Sequence, residues 1–392
     1  MFKRLDLAII NRSFWPIYPV IGEALMRFAE QQAKKRKVGV ILQDHVDIRA
    51  QLLKHQRGEH VNFYPAHAFS VSGSSIMRRA MDAVFFMLWV FLILLIKRPR
   101  KVYVSTDPPV LVPFIVMLYC AIFRAQYFYH LQDIHPEAAN VVIPVKSWLF
   151  RILRWLDSVT MRRANLLITI TQEMADQIRL RSDTRSSIAV LANPSVSFDQ
   201  VKLPEHKILG FTFCGTAGRL QRIPLLIKAI EQYCHQGGVL PFVFAGAGVY
   251  ANDLERLAQQ YSNVIYKGLV SASEAAQINV DYTWALLPIE DEVTRYAFPS
   301  KSSSYVFSGA LIAAVCGYEI SVAKWVADNR LGVVVAPELD ALCQFFFNVE
   351  RGQYDAETFD FERKELKQRL GFDTFLRKLT DLVVDMDRCT NG

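Results

Sequence analysis

Short apolar runs alternate along the chain with stretches in which apolar residues recur every three or four positions. Residues 5–11 form such a run and predict a buried strand, residues 22–32 have helical spacing, and residues 38–43 predict a second strand. Strand, helix, strand is a βαβ unit. The alternation returns with strands at 101–105, 127–133 and 165–171, which predicts a mostly parallel sheet covered by helices on both faces.

A polar, proline-containing segment, LANPSVSFDQVKLPEH at residues 191–206, interrupts the pattern and reads as a linker. Strands are expected after it at 209–214, 241–245, 263–266, 282–288, 310–316 and 332–335, each followed by a helical stretch or a turn. The expected fold class is therefore α/β, with an N-terminal Rossmann-like domain over residues 1–190, the linker 191–206 and a second Rossmann-like domain over 207–370. A C-terminal helix over 371–392 is expected to pack back on the first domain. A length of 392 residues suits two domains, and 52% apolar with 21% charged residues excludes a disordered chain.

Two apolar runs, residues 83–96 (AVFFMLWVFLILLI) and 109–123, raise the question of a membrane. A spanning helix wants roughly 20 residues, whereas fourteen reach only about 21 Å, so both runs read as too short to cross. A hairpin would also place Lys97, Arg98, Arg100 and Lys101 away from the soluble domains, against the positive-inside tendency. Arg78 and Arg79 precede the first run, and the stretch 146–163 sets Trp148, Phe150 and Trp155 beside Arg151, Arg154, Arg162 and Arg163. Basic side chains near an anionic leaflet are worth about 1 kcal/mol each, so the pattern predicts peripheral attachment to an anionic membrane surface. Two ordinary buried helices are the competing expectation.

Charge alone does not choose a partner: 45 Lys and Arg against 38 Asp and Glu leave a net +7, which suits nucleic acid, an anionic membrane or phosphorylated substrates. The basic residues cluster beside apolar runs with no recognisable nucleic-acid motif, so lipid is expected and nucleic acid is not. The six cysteines, Cys120, Cys214, Cys234, Cys316, Cys343 and Cys389, never form CxxC and read as reduced, buried thiols. With no signal-peptide pattern at the start, the expected location is cytoplasmic, on the inner face of the plasma membrane.

Chemistry is suggested in three places. The loop Cys214-Gly215-Thr216-Ala217-Gly218-Arg219 follows one expected strand and opens a helix, where backbone N–H groups can take a phosphate. Arg219 and Arg222 set cations against the helix dipole there, which an anion between them and the amides would explain. Pro299-Ser300-Lys301 marks a second helix start with the same excess of positive charge, and two such starts suit a diphosphate. In the first domain His130, Gln132, Asp133, His135 and Glu137 gather at the carboxyl end of a strand and fit either a solvated loop or a site. Asp385-Met386-Asp387 is a DxD in a helical pattern and reads as an exposed pair, so no metal is expected in the chemistry.

In the order TDPP, QDIHPE, ITIT, ANPSV, GTAGRLQ, FAGAG, PSKSSSY and APE, these motifs resemble those of GT-B glycosyltransferases, most closely the retaining family 4 enzymes of bacterial surface polysaccharide synthesis. The resemblance implies two Rossmann-like domains facing each other across a cleft, with a nucleotide-sugar as donor substrate in the second domain, an acceptor in the first, and no cofactor. It implies donor contacts from Gly215, Gly218, Arg219, Arg222, Ser300, Lys301 and Ser304, and orientation of the acceptor hydroxyl by Asp133, His135 or Glu137. Gln221 stands where the family has a lysine, Ser304 and Tyr296 stand at its paired glutamates, and Gln132 replaces a common histidine. A lipid-linked saccharide is the expected acceptor, in assembly of O-antigen, capsule or exopolysaccharide. Two rival expectations are a nucleotide-sugar 2-epimerase and a non-catalytic subunit that binds the nucleotide-sugar or recruits a glycosyltransferase.

Overall fold

The computed structural model describes residues 4–70, 76–354 and 358–385; Asp387 and Cys389 lie outside the described residues. The chain divides into two compact units, one running to Pro194 and resuming at Phe372, the other spanning Ser195–Gly371.

Unit 1 is built on a seven-stranded sheet of β1 (Leu7–Ile10), β2 (Val38–Asp44), β3 (Asn62–His67), β4 (Lys101–Ser105), β5 (Gln126–Leu131), β6 (Leu166–Thr169) and β7 (Ile188–Val190). All pairings are parallel, in the order β3-β2-β1-β4-β5-β6-β7. The central strands are apolar runs because helices cover both of their faces. The sequence pattern misses only the two edges, β3 and β7. Only one residue of the six in β3 is buried and none of β7 is, so neither shows an apolar run. Pro65 is tolerated in β3 because an edge strand can do without one ladder N–H.

The helix Ile21–Ala33 buries Ala24, Leu25, Phe28 and Ala29 completely. Phe375, Leu379 and Val383 of the C-terminal helix Phe372–Val383 are fully buried in the same core. Gln32 donates to the Thr380 hydroxyl at 3.1 Å, and Lys101 Nζ to the Val384 carbonyl at 2.9 Å.

The first apolar run needs a correction. It lies within one helix, Ile76–Lys97, of 22 residues, which at 1.5 Å per residue is about 33 Å, long enough to cross a membrane. Polar residues at its start lengthened it beyond the fourteen apolar positions that the run suggested. One of them, Asp82, is buried and accepts hydrogen bonds from Gln43 at 2.6 Å and from the Phe69 N–H at 3.2 Å. Phe86, Val90 and Leu94 are fully buried, while Met77, Met81, Leu88 and Leu92 are exposed. This helix packs on β2, β3 and the helix Leu111–Phe123, which in turn packs on Ser147–Arg163. Ile122, Trp148, Ile152 and Trp155 on those two helices are also exposed.

Unit 2 has six parallel strands, β8 (Ile208–Cys214), β9 (Phe242–Ala245), β10 (Val264–Tyr266), β11 (Tyr282–Pro288), β12 (Leu311–Val315) and β13 (Gly332–Val335). Their order is β10-β9-β8-β11-β12-β13. Phe211, Tyr233, Phe242 and Phe346 are mutually packed in its core, with ring centroids 4.8 to 5.8 Å apart.

Candidate functional site

In an open parallel sheet the strand order reverses at one point, and the loops there diverge to leave a crevice at the carboxyl ends. In unit 2 that point lies between β8 and β11. The loop after β8 is held by the one after β9: Gly215 N–H donates to the Ala245 carbonyl at 2.8 Å, and Ala217 N–H to that of Ala247 at 2.9 Å. A Cβ on Gly246 would fall 2.0 Å from the Gly215 carbonyl oxygen, and one on Gly248 2.3 Å from that of Ala217. The glycines of FAGAG are therefore what let these two loops touch.

The cations of this loop part company. Arg219 is exposed and makes no ion pair among the described residues. Arg222 turns inward, donating to the Ile289 carbonyl at 2.8 Å and lying 3.1 Å from both Glu290 and Asp291. It ties the start of the helix Ile223–His235 to the loop after β11. Gly218 N–H donates to the Gln221 amide oxygen at 3.1 Å, so Gln221 organises the turn.

Lys301 opens the helix Lys301–Ser308, and Ser300 before it contributes no side-chain cap. Lys301 Nζ lies 3.7 Å from the centre of the Phe213 ring and 3.1 Å from the place of a Cβ on Gly215. This nitrogen is buried without a hydrogen-bond partner, and burial pulls the amine down to about 7. Ser302, Ser303 and Ser304 are buried behind it. At the other end of the helix, buried Arg363 donates to the carbonyls of Tyr305 at 3.1 Å and Val306 at 3.4 Å, and Lys207 to that of Ser308 at 3.0 Å. Cations there complement the helix dipole. Nothing local in the sequence marks Arg363 for this role, since its carbonyl partners Leu331, Val306 and Tyr305 lie 32 to 58 positions away.

In unit 1 the strand order reverses between β1 and β4. Arg12, after β1, pairs with Asp107, after β4, at 3.0 Å, and Ser13 N–H donates to the same carboxylate at 2.8 Å. The Thr106 hydroxyl accepts from the N–H groups of Gln132 at 3.1 Å and Asp133 at 3.4 Å. Burial, with the neighbouring Asp107 charge, pushes the Asp133 carboxyl up to about 6. Burial and then Arg181 pull His135 down to about 4. Glu137 turns to Arg181 at 3.1 Å and Arg154 at 3.4 Å; Arg181 also pairs with buried Asp157 at 2.5 Å, and Asp157 accepts from the Tyr129 hydroxyl at 2.7 Å. The structure thus brings Asp133 and Asp107 together and places Glu137 in an internal ion network.

Sequence reasoning gave no role to Asn193 or Tyr103. Asn193 Nδ2 donates to the Gln132 amide oxygen at 2.6 Å, and Gln132 Nε2 donates to His130 Nε2 at 2.8 Å. The imidazole proton then sits on Nδ1, facing the Tyr103 hydroxyl at 2.6 Å. Burial holds His130 neutral, pulling it down to about 3, so it positions Gln132 rather than titrating. The signal for Tyr103 was its place on the strand beside that of His130, two residues from His130's register partner Ser105 and so on the same face of the sheet. Among the described residues no group of three or more His, Cys, Asp or Glu is placed to hold a metal ion.

No family model matches the chain. It is 23% identical to a probable glycosyltransferase, WbjE, of Pseudomonas aeruginosa over 287 residues, 67% of this chain and 71% of that protein. Among solved structures it is similar to WaaG, a glycosyltransferase involved in lipopolysaccharide biosynthesis, with a TM-score of 0.66 and 12% identity over 96% of this chain and 99% of that one. The chain has the GT-B fold. Another structure matched over 97% of this chain and 100% of its own is Anabaena HepE, solved in complex with UDP, with a TM-score of 0.64 and 15% identity. In GT-B terms, unit 2 carries the exposed Arg219 and the buried Lys301 at its switch point, and unit 1 carries Asp133 and Asp107 at its own.

Proposed function

We propose that the chain is a glycosyltransferase of surface polysaccharide assembly that moves a sugar from a nucleotide-sugar held by unit 2 to a lipid-linked saccharide held by unit 1, with retention and without a metal. The carrying observation is the pair of basic side chains, Arg219 on the β8 loop and Lys301 at its helix start, flanking a loop whose geometry depends on glycine. The likeness to WbjE supports the reaction class.

A leaving nucleoside diphosphate gains charge as the glycosidic bond breaks, and a preorganised cation such as Arg219 stabilises that charge most in the transition state. Asp133, with its raised carboxyl, suits orienting and deprotonating an acceptor hydroxyl. Gly215, Gly218, Ser300 and Ser304 shape the donor loop and helix start, while Arg222 braces them and His135 lines the acceptor side. The exposed apolar residues of Ile76–Lys97 and Ser147–Arg163, flanked by Arg78, Arg98, Arg151 and Arg162, support attachment to an anionic membrane surface on its cytoplasmic side and hence a lipid-linked acceptor.

The test is a panel of nucleotide-sugars scored by thermal stabilisation, followed by transfer of the stabilising sugar to a polyprenyl-diphosphate saccharide. Stabilisation by none of them would remove the donor reading. Serine at 304 and tyrosine at 296, where the resembled family has carboxylates, favour one second reading, a nucleotide-sugar-binding subunit without catalysis. Slow donor hydrolysis by the purified protein would exclude it.

A further inference from the structure

We propose that capture of a nucleoside diphosphate by unit 2 takes up a proton at Lys301, so that this buried amine becomes the second cation of the site only when the phosphates arrive. Resting on the donor-site reading above, this coupling gives that site a dependence on pH.

Lys301 Nζ is buried, and among the described residues no carboxylate pairs with it and no acceptor takes its protons. Cys214 on β8 acts on it, Tyr305 stands one turn along its own helix, and Lys267 acts on Cys214 in turn. The Cys214 thiol is pushed up to about 12 and is uncharged, and the Tyr305 hydroxyl is committed to the Leu286 carbonyl at 3.1 Å. Among the described residues the Phe213 ring face, at 3.7 Å, is what the amine has for an electrostatic partner. A buried ammonium with so little compensation releases its proton, because desolvation penalises the charged form. Burial accordingly holds this amine at about 7, far below the ordinary 10.5.

The amine sits beneath the Gly215 turn, where a side chain on that residue would meet it at 3.1 Å. A diphosphate over this loop sets negative charge a few ångströms from Nζ, and opposite charge at about 4 to 6 Å raises a base by about 1 to 3 pH units. The reaction is R–NH2 + H⁺ → R–NH3⁺, with the proton drawn from the medium. At pH 6 the amine is already charged and takes up almost none. At pH 8 it takes up about 0.4 to 0.9 of a proton for each bound nucleotide, so affinity falls as pH rises.

Calorimetric titration of the intact protein with UDP, GDP and dTDP at pH 8, in HEPES and in Tris, reads this directly, since the two buffers differ in ionisation enthalpy. Free nucleotide supplies no proton there because its terminal phosphate, with a pKa near 6, is already ionised. The expected result is uptake of about 0.4 to 0.9 proton per bound nucleotide at pH 8 and affinity about two- to eightfold weaker at pH 9 than at pH 8, while at pH 6, where the nucleotide's own phosphate also titrates, the native protein and Lys301→Met should differ by less than about 0.1 proton. Lys301→Met should abolish uptake and weaken binding tenfold or more, with its fold checked by its own thermal transition; Lys301→Arg should bind without uptake and with no pH dependence from 7 to 9. Binding without uptake in the native protein, or uptake that persists in Lys301→Met, would overturn the proton coupling and leave the donor site standing. Binding of none of the three nucleotides would overturn the donor site and the coupling with it.

Discussion

Asp133 changes charge close to neutral pH because its carboxyl is buried beside another, Asp107, and is pushed up to about 6. A base must be ionised to accept the proton of an acceptor hydroxyl, so transfer should decline as pH falls through about 6, approaching a tenfold loss per pH unit below it. Asp133→Asn should remove about a hundredfold or more of kcat while leaving nucleotide affinity unchanged; an unaltered kcat would reassign the acceptor side. The two arginines of the donor loop should separate experimentally. Arg219→Ala loses a charge-assisted contact and should weaken nucleoside diphosphate binding roughly ten- to hundredfold without lowering the thermal transition. Arg222→Ala unpairs Glu290 and Asp291 and should lower stability by about 1 to 3 kcal/mol, seen in chemical denaturation. Lys301 and Arg222 stand out in the sequence because a cation at a helix start opposes the dipole, and Arg219 lies in the turn just before. The inward turn of Arg222 was not legible there, since its carboxylates stand about 70 positions away.

Helices and strands were legible wherever burial covers both faces of an element. The apolar strands β1, β2, β4 and β8 announce themselves, whereas β3 and β7 are edges whose half-exposed residues carry no pattern. The helix Ile76–Lys97 misled for a different reason, since its length depends on Arg78 and Asp82, which look like the boundary of an apolar run. Its exposed residues allow a clean test. Replacing Phe85, Leu88 and Leu92 with serine should leave thermal stability within about 1 kcal/mol, because all three already face outward. The same triple change should reduce flotation with phosphatidylglycerol liposomes, and 1 M salt should reduce it in the native protein by screening. Retention after both salt and alkaline carbonate would instead show an inserted helix. Phe91, on the same helix, is half-buried and would confuse the comparison.

At the scale of the whole chain, unit 1 is closed by a helix that follows unit 2 in the sequence. Phe375, Leu379 and Val383 are fully buried in its core, so Leu379→Asp should cost about 3 kcal/mol or more and lower the first unfolding transition. A single unchanged transition in calorimetry would show that this helix is dispensable. Sequence reasoning expected a helix there that packs back on the first domain, but its partner residues on Ile21–Ala33 lie some 350 positions earlier and leave no mark on local spacing.

The point where the chain leaves unit 1 and the point where it returns are neighbours: Ser195 N–H donates to the Leu370 carbonyl at 3.1 Å. All of β8 to β13, with Arg219 and Lys301, is therefore written on one uninterrupted stretch whose two ends meet. An insert of this kind can be lost or replaced with little loop-closure cost, because its two ends lie side by side. Two recombination events, one on each side of a gene segment of about 177 codons, would exchange it as a cassette. If unit 2 holds the donor as proposed, a lineage would in that way acquire a new nucleotide preference in a single step while every residue of the other unit stayed as it was.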